Sequence, residues 1–313
     1  VLVNGNSYAD GLSASALAGA LSGALLLTEK DATPTSVLTT MSAMSSTVAS
    51  VNKYVFIVGG TSQVSAAQAT ALSAAGWTVT RVSGDNRYET ADAVAALVKT
   101  QNGGASGSLG GYKTAFLANG NSFADALSVS SMAYEQKLPI FLTDGTTLSA
   151  GTKAQMKLSG IQKVFVLGGT AAVSAAVATA ADAVSTVAVV QRLSGATRYE
   201  TSKAVADALG LLDATRKVKA VLVDGNNFPD GLAASQYAAS IDASILLTNG
   251  STLPTATSAW LTSRQSTLTN IATVGGTTAV PAAAVTAAKS AGTTAAFTAA
   301  FSKVVDGGTT YTV

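Results

Sequence analysis

The chain contains neither cysteine nor histidine. Disulfide scaffolds, thiolate nucleophiles, Cys/His zinc sites, imidazole bases and Ser-His-Asp triads are thereby excluded. Only Asp, Glu, Lys, Tyr, Ser and Thr remain for any chemistry. Charge is scarce as well: 12% of the 313 residues are charged, about half the usual share. A hydrophobic fraction of 48% rules out disorder through low hydropathy. The 19 basic and 17 acidic residues leave a net charge of +2 and form no basic stripe, so no nucleic-acid partner is expected. The longest nearly apolar stretch, Ala14 to Leu27, is broken by Gly19, Ser22 and Gly23. It falls short of the roughly 20 residues that a bilayer span needs, and no membrane span is expected. The sequence opens at Val1 without Met or a charged leader, so an export signal is expected to lie outside it.

What is present is repetition. The segment Val1-Leu-Val-Asn-Gly-Asn-Ser-Tyr-Ala-Asp-Gly-Leu12 returns at Phe116 to Leu127 and again at Val221 to Leu232, with its aspartate at Asp10, Asp125 and Asp230. The strand-like Val55-Phe-Ile-Val-Gly-Gly60 returns at Val164 to Gly169 and Ile271 to Gly276. A third element, Arg81-Val-Ser-Gly-Asp-Asn-Arg-Tyr-Glu-Thr90, returns once, at Arg192 to Thr201. The order and spacing define three units, placed at residues 1–111, 112–218 and 219–313. The first has no leading arginine element and the third no trailing one. Asn102 to Gly111, rich in Gly and Ser, reads as a linker.

Within a unit, short apolar runs alternate with segments of helical period, the pattern of a parallel sheet covered by helices. Strands apolar on both faces agree with a sheet buried on both sides. Each unit is therefore expected to be a Rossmann-like α/β layer structure.

Four of the six arginines (Arg81, Arg87, Arg192, Arg198) and two of the four glutamates (Glu89, Glu200) lie in the arginine element. Two uses suit that concentration. The guanidinium forks could grip an anionic ligand, or they could pair with Asp10, Asp125 and Asp230 and clamp one unit to the next. The aspartates fall in a first helical turn, where they could cap the helix, or, with Asn6, Asn121 and Asn227, line a crevice beyond the strand ends. Glycine pairs after a strand, with helices opening at Ser65, Ser174 and Pro281, suit close packing of a turn. The full dinucleotide and P-loop fingerprints are absent, so no cofactor is expected.

Together the three elements resemble the cell wall-binding repeat of type 2, found as tandem triplets in exported proteins of Gram-positive bacteria. The resemblance implies a pseudo-threefold arrangement of Rossmann-like or Toprim-like units. It also implies a non-catalytic anchor, outside the cell, for an anionic cell-wall polysaccharide. The arginines, with Tyr88 and Tyr199, would meet the polymer or clamp the repeats. In that family an arginine element leads each repeat; none stands ahead of Val1 in this sequence, so either an upstream segment lies outside it or Asp10 lacks the partner proposed for Asp125 and Asp230. The alternative function is self-assembly into a surface layer or filament, through open contacts between incomplete end units. An enzyme with a metal at Asp10, Asp125 or Asp230 is disfavoured, since each element offers one carboxylate.

Overall fold

In the computed structural model, residues 1–46, 53–292 and 296–299 are described. The chain forms three sheets, parallel except for one short antiparallel strand at the edge of the middle sheet. The first unit runs β1 (Leu2–Asn4), α1 (Tyr8–Ala20), β2 (Leu26–Thr28), α2 (Thr35–Ser46), β3 (Tyr54–Val58), α3 (Ala66–Ala74) and β4 (Thr78–Val82), and is followed by α4 (Arg87–Gln101). The second holds β5 (Ser108–Leu109), β6 (Tyr112–Asn119), α5 (Ala124–Leu127), α6 (Ser130–Gln136), β7 (Ile140–Thr143), α7 (Ala150–Leu158), β8 (Lys163–Leu167), α8 (Ala175–Asp182) and β9 (Val189–Leu193), and is followed by α9 (Arg198–Leu212). The third holds β10 (Lys219–Asp224), α10 (Pro229–Ser240), β11 (Ser244–Thr248), α11 (Thr255–Thr262), β12 (Asn270–Thr273), α12 (Ala282–Ala291) and β13 (Ala296–Ala299).

The outer sheets share the order β2-β1-β3-β4 and β11-β10-β12-β13, and β7-β6-β8-β9 repeats it in the middle. In each sheet the chain leaves the first strand for one neighbour and later crosses to the other side. A crevice therefore opens at the carboxyl ends of the two central strands. Central strands such as β6 and β10 are buried almost throughout, as strands covered on both faces must be. The expected α/β fold of three repeats is what the chain adopts.

The segment 102–111 is no loose linker. Ser108 and Leu109 pair antiparallel with Lys113 and Tyr112, and Ser106 donates to the Ser159 carbonyl at 2.8 Å. A Cβ at Gly107 would overlap the Gln136 carbonyl; its glycines serve close packing and tight turning. The sequence observation that residues from Ala295 carry no arginine element falls, beyond β13, outside the described residues.

The units close around a common centre. The rings of Tyr8, Phe123 and Phe228, one from each aspartate element, meet pairwise at 5.5, 5.7 and 5.9 Å, a favourable range for tilted aromatic contacts. Below them Leu12, Leu127 and Leu232 are buried in one apolar cluster. Contacts run cyclically: α1 touches β7, α6 touches β11 and α10 touches β2. Small residues permit this closeness, since at Gly19 of α1 a Cβ would collide with the Tyr134 backbone of α6. The helices that follow the arginine elements belong in space to the next sheet. α4 packs on β7 and α7, and α9 on β11 and α11.

Candidate functional site

Each residue of the arginine element has an identifiable task. Arg81 closes β4 onto the loop after β3, donating from Nη1 to the Gly59 carbonyl at 2.7 Å and from Nη2 to that of Ser65 at 3.3 Å. Arg192 repeats this on Gly168 and Ser174 at 2.7 and 3.4 Å. Gly84 and Gly195 lie so close to the following helix that a Cβ would strike Glu89 or Glu200. Asn86 caps α4 by accepting from the Tyr88 and Glu89 amides, both at 3.0 Å. Thr197 and Glu200 form a reciprocal capping box on α9. The two glutamates are thus spent on helix starts.

Arg87 and Arg198 cross between units, although they do so through carbonyls. Arg87 Nη1 donates to the Gly120 carbonyl at 2.6 Å while its guanidinium stands 5.8 Å from the Tyr8 ring centre. Arg198 reaches the Gly225 carbonyl at 2.5 Å and stands 5.7 Å from Phe123. Each arginine thus joins the aromatic of one aspartate element to the turn of the next. Tyr88 and Tyr199 lie against the same turn glycines, and the Tyr199 hydroxyl donates to Asn226 Oδ1 at 3.3 Å. Direct pairing of these arginines with the aspartates, one of the two uses foreseen, is not what the geometry shows: no ion pair within 4.0 Å joins them among the described residues.

The aspartates stand in the first turns of α1, α5 and α10, while the residues at the N-cap positions, Ser7, Phe123 and Phe228, make no side-chain cap bond. Asp10 and Asp125 face Thr90 and Thr201 of the arginine elements. Burial raises both pKa values, opposed by the threonine hydroxyl and by the nearby charge of Arg87 or Arg198. Asp10, which sequence reasoning left without a partner, is therefore served by the element that follows it. The carboxylate of each aspartate lies against the first glycine of a pair. A Cβ on Gly59 or Gly275 would stand 2.6 Å from Asp10 or Asp230 Oδ2, and one on Gly168 would overlap Asp125.

The asparagines are exposed turn residues. Asn6 and Asn121 donate their amides to Asn4 and Asn119 Oδ1 at 2.7 and 2.8 Å. In the third unit the matching residue is Asn226, bonded to Asp224 at 2.8 Å, while the expected Asn227 stands one position further on.

Above the second sheet these parts enclose a cleft of about 420 Å³, lined among others by Ser122, Asp125, Thr170, Thr197, Arg198 and Thr201. It opens where the strand order reverses, the usual place for a ligand in an open α/β sheet. Hydroxyls, one carboxylate and one guanidinium suit a hydroxyl-rich ligand. A larger hollow of about 580 Å³ lies at the other end of the first sheet, lined mainly by apolar residues such as Leu26, Met41 and Trp77; it lacks convergent polar groups. Among the described residues no group of three His, Cys, Asp or Glu side chains could hold a metal, and no helix is long and apolar enough to cross a membrane.

Sequence reasoning missed Arg216. It is 1% exposed, pairs with Glu135 of α6, and donates to Ser131 Oγ at 3.1 Å and the Ala243 carbonyl at 2.8 Å. Burial pushes its pKa down to about 10, against the pull of Asp242. Because it is not repeated, the sequence carries no signal for it.

Asp92 of α4 gives the seam between the first two units a pH dependence. It is half-buried, accepts from Thr152 Oγ1 at 3.1 Å, and burial pushes its pKa up to about 6, with the bond from Thr152 opposing. A raised carboxyl pKa means that the folded state holds the proton more tightly. Its contribution is therefore full below about pH 4 and is lost as pH rises through about 6. Allowing for partial exposure, the loss is about 1 to 2 kcal/mol. Denaturant unfolding at pH 4 and pH 7 should show that the Asp92→Asn variant lacks this slope.

A family model described as Cell wall binding domain 2 (CWB2) matches residues 1–69, 81–178 and 192–285. The second and third matches begin at Arg81 and Arg192. Two Bacillus subtilis (strain 168) proteins are similar. N-acetylmuramoyl-L-alanine amidase LytC is 32% identical over 73% of this chain and 41% of its own length. The amidase enhancer is 32% identical over 56% of this chain and 22% of its own. Two solved structures from Clostridium difficile share the fold. Cwp8 aligns with TM-score 0.77 and 27% identity over 94% of this chain and 47% of its own. Cwp6 aligns with TM-score 0.74 and 26% identity over 88% and 41%. The chain thus spans less than half the length of each of these relatives.

Proposed function

The chain belongs to the Cell wall binding domain 2 family, and from that premise we propose that it is a non-catalytic anchor holding an anionic wall polysaccharide in the clefts above its seams. Family and structural neighbours place it at the cell wall or surface. The observation that carries the reading is the hydroxyl-lined cleft at the strand switch, walled by Asp125 and Arg198. The first unit presents the same residue types in Asp10, Arg87 and Thr90. In this reading Arg87 and Arg198 serve chiefly as clamps, since their guanidinium groups are already engaged by carbonyls and rings. The proposed division at 111 and 218 is kept as a division by repeats, although Ser108 and Leu109 already pair into the second sheet and α4 and α9 cross to cover the next one. The low net charge points to recognition by shape and hydrogen bonding more than by long-range attraction.

Co-sedimentation with purified Gram-positive walls tests the proposal. Binding is expected to intact walls and to be lost once the secondary polysaccharide is extracted. Equal binding to both would remove the polymer from the account, and binding to neither would remove the anchor.

A further inference from the structure

The amino ends of the middle strands gather two residue types that the clefts do not use. Among the described residues seven large apolar side chains are exposed, and four of them surround the β5–β6 hairpin: Tyr112 (40%), Leu158 (66%), Leu211 (78%) and Leu212 (39%). Singly, such exposure is ordinary; here the backbone brings the four together. Ser106, just ahead of the hairpin, donates to the carbonyl of Ser159, the residue after Leu158. At the hairpin tip, a Cβ on Gly110 would lie 3.1 Å from Leu212 Cδ2. The hairpin thus bridges the ends of α7 and α9, and among the described residues only the middle sheet carries one.

Lysines occupy the same end. Lys99 donates from Nζ to the Leu158 carbonyl at 2.6 Å. Lys113 pairs with Ser108 across the hairpin, its Nζ 3.8 Å from where a Cβ on Gly160 would stand. Lys157 is exposed in the last turn of α7, and Lys163 lies opposite Thr114 on the adjoining strand. None of the four comes within 4.0 Å of a carboxylate among the described residues. Glu135, Asp213 and Asp242, also at this end, face Arg216 instead. Of the middle unit's exposed carboxylates, Asp182 ends α8, while Asp144 and Glu200 stand beyond the opposite ends of the strands.

A basic sheet end with protruding leucines suits one partner chemistry above others. A hydrated polysaccharide can meet ammonium groups, but it offers no apolar phase to Leu158 and Leu211. The surface of a bilayer containing anionic lipid offers both, phosphate at the level of the lysines and acyl chains beneath. We propose that the hairpin end of the middle sheet is a peripheral docking surface for anionic lipid. Leu158 and Leu211 enter the headgroup boundary, and Lys99, Lys113, Lys157 and Lys163 meet lipid phosphate. No spanning segment is needed, and the cleft beyond the other ends of the same strands faces away from the bilayer. The surface acts independently of what the clefts bind.

Vesicle flotation without any wall material tests this. At low ionic strength the chain should float with vesicles of equal parts phosphatidylglycerol and phosphatidylcholine, and not with phosphatidylcholine alone; molar salt should weaken the association. Leu158→Ser combined with Leu211→Ser changes two side chains that are mostly in water, so the variant should melt like the parent. It should bind the mixed vesicles at least about tenfold more weakly, and Lys113→Gln with Lys157→Gln should lose about as much. No flotation with the mixed vesicles would overturn the proposal. So would association that survives the leucine changes, the behaviour of a charged surface that takes any polyanion, and so would equal binding to both kinds of vesicle.

Discussion

Replacing Arg216 by alanine should cost about 3 to 5 kcal/mol, because removing one member of a buried ion pair leaves the other charged and without compensation. The side chain sits in a short turn between α9 and β10, and its bonds to Ser131, Glu135 and the Ala243 carbonyl tie the second unit to the third. The loss would appear in denaturant unfolding as a lower midpoint. Taking charge away from both sides at once, as Arg216→Met with Glu135→Leu, should restore most of the stability, since apolar replacement of a complete buried pair is often close to neutral. A single variant as stable as the parent would show that the pair contributes nothing.

Gly168→Ala should cost about 3 kcal/mol, from a backbone conformation disfavoured for any side chain together with a collision. Gly168 has φ of +88°, and its new Cβ would fall on the Asp125 carboxylate and 3.0 Å from Ala172 Cβ. To yield, the carboxylate would have to shift away from its place beside Thr201. The adjacent Gly169 is the internal control, because nothing lies within 4 Å of its Cβ position; Gly169→Ala should be nearly neutral. Combining Gly168→Ala with Asp125→Ala should cost less than the sum of the two changes, since they share one contact. Full additivity in thermal unfolding would refute this account of the glycine pair.

These two residues mark what could and could not be read in advance. Gly168 lies in an element that occurs three times, so its importance was visible, and with it the repeat number, the sheets and the helix starts at Ser65 and Ser174. The partner of each aspartate was not visible. Sequence order suggests that an arginine element serves the unit it leads, whereas Arg87 and Thr90 reach back to the aspartate element before them and forward to Gly120. That dual role follows from a ring in which each helix lies across a seam. The aromatic centre was half legible: an aromatic stands at the same place in each aspartate element, but the meeting of Tyr8, Phe123 and Phe228 depends on closure. Arg216 was invisible because it occurs once, and no periodicity marks a side chain whose partners lie 81 residues away at Glu135 and 27 away at Ala243.

The central claim is that the clefts above the seams hold the wall polymer, and filling them tests it most directly. Gly169 borders the cleft above the second sheet, and Gly60 holds the matching position in the first unit; a Cβ on either would meet nothing closer than 3.9 Å. The variant carrying Gly60→Trp and Gly169→Trp should therefore fold and melt like the parent. In co-sedimentation with intact walls it should lose at least about tenfold in affinity, or about 1.4 kcal/mol. Undiminished wall binding by a normally melting double variant would contradict the account and place the polymer elsewhere on the molecule.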